Sequence, residues 1–374
     1  MTCLSASQNN LAVARGLHVD YYNFTKHSYL DVPEKLNTHD DHICDITISS
    51  DSSYLALITT VSKQLIIYNL PQLTEYKSFI LPRSASKIRF SPNNINVLVA
   101  DKSGDVLIYD FSKENSGTKL LGHLSLLLDV LQTYDMKYII SCDRDEKIRV
   151  SCYPNTYNIQ TYCLGHKEFV NHIEILPHND KYITSSSGDG NVKFWDYVNG
   201  KLCYNINACL DVDNNELCEL FSKRMDEEGV EVLNLPIVHY AVTKFNKDSS
   251  LIAVTIHSFN KILIYTLQTI DNQFKHQKEE MIPVQKFPAA IMFIKCSLIL
   301  YDDIDCIVSI LSVVNSNERI TFQMDKQIKM FEDKIVNFNV KLSLDAIKIL
   351  YKRKFDNVQE YQERKKQRIE KVVQ

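Results

Sequence analysis

Apolar and polar positions alternate along most of this chain in short runs separated by turn residues, the period-two pattern of strands. Ile46 to Ser49, Tyr54 to Ile58 and Gln64 to Asn69 form one group of three such runs. Ile88 to Phe90, Val97 to Ala100 and Asp105 to Asp110 form the next. Two more groups lie between Gly122 and Tyr197. Val242 to Phe245, Leu251 to Thr255 and Lys261 to Thr266 make another. The last holds Ala289 to Ile294, Cys296 to Tyr301 and Asp305 to Leu311, with Arg319 to Gln323 outermost or leading out. Aligning the last run of each group puts Tyr22, Tyr68, Tyr109, Ser151, Trp195, Tyr265 and Ile310 in register, at intervals of 46, 41, 42, 44, 70 and 45 residues. A period of this size marks a repeat architecture, in which each small sheet buries its faces against its neighbours.

Three stretches break the period. The first 40 residues offer one strand pair, Leu11 to Arg15 and Gly16 to Tyr21. An incomplete first copy is expected where an N-terminal strand completes the last sheet of a closed ring. The long interval holds an acidic stretch, about 208–234, with Asp211, Asp213, Glu216, Glu219, Asp226, Glu227, Glu228 and Glu231. It reads as an insertion loop in which Leu217 to Met225 is a helical candidate, and removing its roughly 26 residues restores an interval of 44. After Leu342 the apolar spacing changes to three or four, through Leu344, Ile347, Leu350/Tyr351, Phe355, Val358 and Tyr361. That spacing predicts an amphipathic helix with Ser343 as its N-cap.

Within the two central groups one pattern is written twice. Gly122-His123 opens the first copy and Gly165-His166 opens the second, 43 residues later. Each passes through an acidic turn, Ser141-Cys142-Asp143-Arg144-Asp145 or Ser185-Ser186-Ser187-Gly188-Asp189, into a last strand. His166, a serine of the middle strand (Ser185 by its position), Asp189 and Trp195 are placed to form the hydrogen-bonded stack that ties one blade together. A pair of Gly-His to Trp-Asp copies about 40–45 residues long is the WD40 signature. The expected fold is therefore all-β: a seven-bladed WD40 β-propeller over 1–340, followed by a C-terminal basic α-helix or tail over 341–374. Length alone suggests about two to three domains, but one propeller absorbs about 300 residues.

Charge changes this picture at one place only. The chain as a whole carries −4, yet Tyr351 to Lys371 holds eight basic residues against four acidic ones. A net +4 tail on a −8 remainder reads as an appended contact element rather than an eighth blade. Composition is that of a soluble globular protein, with 45% hydrophobic and 24% charged residues. No apolar run is long enough for a membrane span, and no signal-peptide pattern opens the chain. The ten cysteines lack CxxC spacing and read as reduced thiols of an intracellular protein.

Catalytic constellations are missing. There is no GxGxxG behind a strand, no P-loop and no HExxH, and Gly188-Asp189-Gly190 is an Asp-Gly hairpin turn. The eleven histidines and ten cysteines show no metal-ligand spacing. The expectation is a chain with no active site, no metal and no cofactor of its own.

Two charged features carry the candidate contacts. One is the turn Asp143 to Arg149, where Arg144, Glu146, Lys147 and Arg149 cluster. The bland reading has Asp145 serving the blade's hydrogen-bond stack and the rest solvated, but Arg149 alternates outward from Ile148 and Val150. The other is the tail, with Lys352, Arg353, Lys354, Arg364, Lys365 and Lys366. It reads as a solvated face or nuclear import signal, or as a cationic element beside nucleic-acid phosphate. The tail tilts the expected localisation to the nucleus, with the cytoplasm also open.

Ser141 to Ser151 (SCDRDEKIRVS), Cys163 to Val170, Ser185 to Gly190, Ala100 to Asp105 and Leu350 to Val358 with Glu363 to Lys366 together resemble one family. It is the WD-repeat non-catalytic subunit of tRNA (guanine-N7)-methyltransferase, the wuho family. The resemblance runs from about Ala100 to the C-terminus. It implies a propeller that binds a separate methyltransferase subunit carrying S-adenosylmethionine, holds it active, and helps place tRNA for methylation of a variable-loop guanosine. It also implies that contacts to the catalytic subunit fall on Lys102 and on the Asp143–Arg149 turn, chiefly Glu146 and Arg149. Nothing carries over to the acidic insertion. The competing reading is an interaction scaffold such as a ubiquitin-ligase substrate receptor. Those often carry Arg two residues after Trp-Asp, where this chain has Val198 after Trp195-Asp196-Tyr197.

Overall fold

Strands rich in Val, Ile, Leu and Tyr pair antiparallel with their sequence neighbours and make seven separate sheets. The computed structural model describes residues 2–7, 10–33, 40–114, 117–232, 234–316, 319–331 and 347–352. The sheets are blade 1 (2–31), blade 2 (43–80), blade 3 (85–122), blade 4 (127–163), blade 5 (170–207), blade 6 (237–283) and blade 7 (290–329). Blade 6 adds a short strand, Ile282–Pro283, beside Lys261–Ile270. The first strand of each blade is innermost. Thr2–Ser7 packs on Ile43–Ile48, which packs on Ala85–Phe90, and so on through Leu127–Gln132, Val170–Ile175 and Ile237–Lys244 to Ala290–Ile294, which returns to Thr2–Ser7. The ring is closed.

Alternation decides where the core sits. Each strand sends every second side chain to each neighbouring blade, so the apolar residues collect at the seams. Seven clusters result, one per seam. Trp195, fully buried, fills the seam between blades 4 and 5 with Ile140, Val150 and Tyr197. All ten cysteines are free thiols.

The expectation of an N-terminal strand completing the last blade is overturned. Blade 1 has its own four strands, Thr2–Ser7, Asn10–Arg15, His18–Tyr22 and His27–Asp31, and blade 7 has four of its own ending in Arg319–Lys329. Closure therefore rests on side-chain and loop contacts across the seam. Leu11, Val13 and Tyr22 pack against Ile299, Tyr301, Val308, Ile310 and Phe331. Asp20 accepts the Phe331 N–H at 2.7 Å, and Lys326 Nζ donates to the Tyr22 hydroxyl at 2.9 Å.

The insertion carries the helix expected at Leu217 to Met225, slightly longer at both ends. A 3-10 turn, Ala208–Asp211, leads into a helix, α1, over Asn215–Glu227, with Asn214 accepting from Leu217 N–H as N-cap. Phe221 and Met225, four apart and buried, face the seam between blades 5 and 6, with Val230, Val232 and Leu235 following. Apolar spacing, not charge, set its structure. The tail helix differs where it is described. Helical backbone ends at Lys348, and tighter turns close Leu350 N–H onto Ile347 O and Tyr351 N–H onto Lys348 O. Ser343, Leu344, Phe355, Val358 and Tyr361 lie outside the described residues.

Candidate partner interface

The strand-end turns between the second and third strands of blades 3, 4 and 5 share one end of the ring and one construction. In each, the first residue caps the turn. Asp101 Oδ1 accepts from the Ser103 and Asp105 N–H groups, Asp143 Oδ1 from Asp145 and Lys147, and Ser187 Oγ from Asp189. The fourth residue takes a left-handed backbone, φ +101° at Gly104, +70° at Glu146 and +76° at Gly190. Glycine adopts that conformation freely, whereas a residue with a Cβ is held there under strain. Glu146 is the exception among the three.

Beneath the blade 5 turn the four stack residues form one hydrogen-bonded chain. His166 Nδ1 lies 2.9 Å from Asp189 Oδ2 and its Nε2 lies 2.8 Å from Ser185 Oγ, which accepts from Trp195 Nε1 at 2.8 Å. The carboxylate calls for a proton on Nδ1, and burial, which disfavours the charged ring, leaves Nε2 to accept from Ser185 Oγ. Burial holds the His166 pKa below its ordinary value despite the opposing pull of Asp189. Burial alone would raise Asp189, but the bonds from His166, Lys167 N–H and Asn191 N–H outweigh it and lower the carboxyl to about 2.

Blade 4 holds a second stack, with one residue exchanged. His123 lies 2.8 Å from both Asp143 Oδ2 and Ser141 Oγ. The expectation that Asp145 serves this role is corrected: Asp143, two residues earlier, is the buried partner and also caps the turn. Ser151 stands where Trp195 stands in blade 5, too short to reach Ser141. It accepts from Arg149 Nε at 2.9 Å instead.

Arg149 is half-buried rather than projecting freely. Its Nη1 donates to Gly122 O and its Nη2 to Thr156 O, each at 3.1 Å. The bond to Gly122 splints blade 4 to the outermost strand of blade 3, those to Ser151 and Thr156 stay within blade 4, and together they use three of the five guanidinium N–H groups. The side chain lines a cleft of about 320 Å3 with Lys119, Leu120, Leu121, Gly122, Thr156 and Tyr157. Tyr157 is almost fully exposed at its mouth. Thr156 and Tyr157 were not singled out in the sequence, because the turn that carries them has no motif.

Lys102 and Lys147 are exposed, while Arg144 is half-buried with its Nε without a hydrogen-bond partner among the described residues. Glu146 accepts from Lys352 Nζ at 2.7 Å, which brings the described start of the tail onto this turn. Burial, then the nearby Glu146 and Asp189 carboxylates, push Glu168 up to about 7. Arg353, Lys354, Arg364, Lys365 and Lys366 lie outside the described residues. No cluster among the described residues has three or more His, Cys, Asp or Glu placed to hold a metal.

The family whose model matches this chain is the tRNA methyltransferase TRM82 WD40 domain, over residues 110–331. The chain belongs to this family. The tRNA (guanine-N(7)-)-methyltransferase non-catalytic subunit wuho of Drosophila pseudoobscura pseudoobscura is 32% identical over 352 residues, covering 89% of this chain and 79% of the relative. Wuho of Culex quinquefasciatus is 31% identical over 338 residues, covering 88% and 76%. The non-catalytic subunit wdr4 of Xenopus laevis is 41% identical over 168 residues, 44% of this chain and 42% of its own. A propeller in the crystal structure of the mitotic checkpoint complex superposes with TM-score 0.62 at 15% identity, covering 87% of this chain and 90% of that one. The U3-55K structure gives 0.61 at 18%, covering 80% and 86%. These two show the fold alone. The TRM82 match takes in the Asp143–Arg149 turn, the blade 5 stack and the insertion, and Lys102 lies just before it.

Proposed function

We propose that this TRM82-family propeller is the non-catalytic scaffold of a tRNA (guanine-N7)-methyltransferase heterodimer. The catalytic subunit, carrying S-adenosylmethionine, docks on the side of blades 3 and 4, and this chain binds no cofactor of its own. The observation that carries the reading is the match along most of the chain to subunits named as non-catalytic. The geometry suits the role. Lys102, Arg144, Glu146, Lys147 and Arg149 sit on or beside turns fixed by buried caps, so a partner meets charges already in place. A carboxylate entering the cleft at Arg149 meets the two guanidinium N–H groups its own chain leaves unused. The basic tail beyond Lys352, with Arg353, Lys354, Arg364, Lys365 and Lys366, supplies phosphate contacts to tRNA and directs the chain to the nucleus.

Calorimetry of the purified pair tests the contact. Arg149→Ala is expected to weaken the heterodimer by roughly 1–3 kcal/mol, the range for losing a charged hydrogen-bond partner. Unchanged affinity would remove Arg149 from the interface and leave it only as the splint between blades 3 and 4.

A further inference from the structure

Among the described residues, six of the seven seams are closed by blade residues and the turns between blades. The seam between blades 5 and 6 is different. The insertion widens it, and residues from the far end of the chain fill it. Ile347 and Tyr351, four positions apart, are only 6% and 3% exposed there. The Tyr351 ring stands edge-on to Phe169, centroids 5.0 Å apart, and 6.5 Å from Phe221 of α1. Its hydroxyl donates to Gly188 O at 3.1 Å, on the turn that carries the blade 5 stack. Lys348 pairs with Glu228 at the end of α1, and Lys352 with Glu146 in blade 4. Six consecutive residues thus touch blade 5, the insertion and the neighbouring blade's turn.

We propose that the 208–234 insertion and blade 5 form a seat for residues 347–352, with Tyr351 as the positioning residue that starts the basic tail beside the Glu146 turn. This rests on the tRNA reading of the tail. A flexible basic chain free to leave the protein spends little time near any one phosphate, and fixing its origin raises its local concentration there. The exit is acidic, with Glu146, Glu168 and Glu228 around it. Lys348 and Lys352 neutralise two of these carboxylates, so the cations beyond Lys352 are left for the polyanion. The acidic insertion acquires a role on this account. It is the outer wall of the seat.

The test uses the full chain with its catalytic partner and tRNA, over a range of salt. Its reference is a variant in which Arg353, Lys354, Arg364, Lys365 and Lys366 are all changed to Gln. Tyr351→Ala is expected to lower tRNA affinity and flatten its salt dependence to the level of that reference, while affinity for the catalytic subunit stays native. Combining the two changes adds no further loss, and Tyr351→Phe, which keeps the ring, recovers most of the binding. Native tRNA affinity in Tyr351→Ala beside a weakened reference overturns the proposal, and so does an additive double variant. A reference that binds like the native chain means the tRNA reading of the tail has failed. The seat is then judged in the free chain by a Glu146→Cys, Lys352→Cys cross-link. It should form with Tyr351 present and be lost with Tyr351→Ala, and its absence in both overturns the seat itself.

Discussion

Glu146 occupies a left-handed backbone position that blades 3 and 5 give to glycine, and its carboxylate meets Lys352. A side chain retained under strain at a fixed turn points to a use for that side chain. Glu146→Gly relieves the strain, so chemical denaturation is expected to show stability equal to or above native by up to about 1 kcal/mol. Partner affinity should fall in the same variant. A loss of stability together with native partner affinity would show the glutamate to be structural. At this scale the sequence is legible where identity alone decides the partner, as in His166, Asp189 and Trp195, and less so among three consecutive serines, of which the strand turns Ser185 to the stack. It misled at Asp145, because two aspartates two residues apart suit the role equally and only the turn geometry sends Asp143 to His123. Arg149 was read as alternating outward, but alternation does not say that a long side chain folds back along its own strand to Ser151 and Thr156.

Elements were legible in proportion to their burial. Second strands such as Leu55–Ile58 and Val97–Ala100 are buried on both faces and announce themselves by composition. Apart from Arg319–Lys329, outermost strands are hard to read: Thr74–Ile80, Ile159–Cys163 and Gln273–Lys278 are mostly exposed and carry polar residues that any loop would carry. Thr2–Ser7 is hard to read for a related reason, since its small and polar residues, unlike those of the other innermost strands, resemble a loop. The loop that carries Glu168 gives a prediction for the seat region as a unit. Its folded pKa, about 7, lies above the usual carboxyl value because of burial and like charge. A raised pKa contributes stability that is fully present below about pH 4.5 and is lost as pH rises through about 7. Glu168→Gln keeps the uncharged form at every pH. Its melting temperature is expected to exceed the native value at pH 8 and to match it near pH 4.5, whereas an equal offset at both pH values would refute the assignment.

For the whole molecule, the seven-fold period was readable because each blade repeats one spacing, but the manner of closure was not. Both ends of the ring form complete blades, so the last seam holds by Asp20, Tyr22 and the apolar cluster around Ile310. Asp20→Ala leaves the Phe331 N–H unpaired and is expected to cost about 1–3 kcal/mol. Hydrogen exchange should then speed up first in blades 1 and 7, and acceleration spread evenly over all blades would contradict a localised seam. On the function proposed above, a non-catalytic ring holds a methyltransferase in working order. The most direct measurement is methyl transfer to tRNA by the catalytic subunit, with and without this chain and with Arg149→Ala. The account predicts full activity only with the native pair and a marked loss with the variant. Equal activity with and without this chain would contradict it.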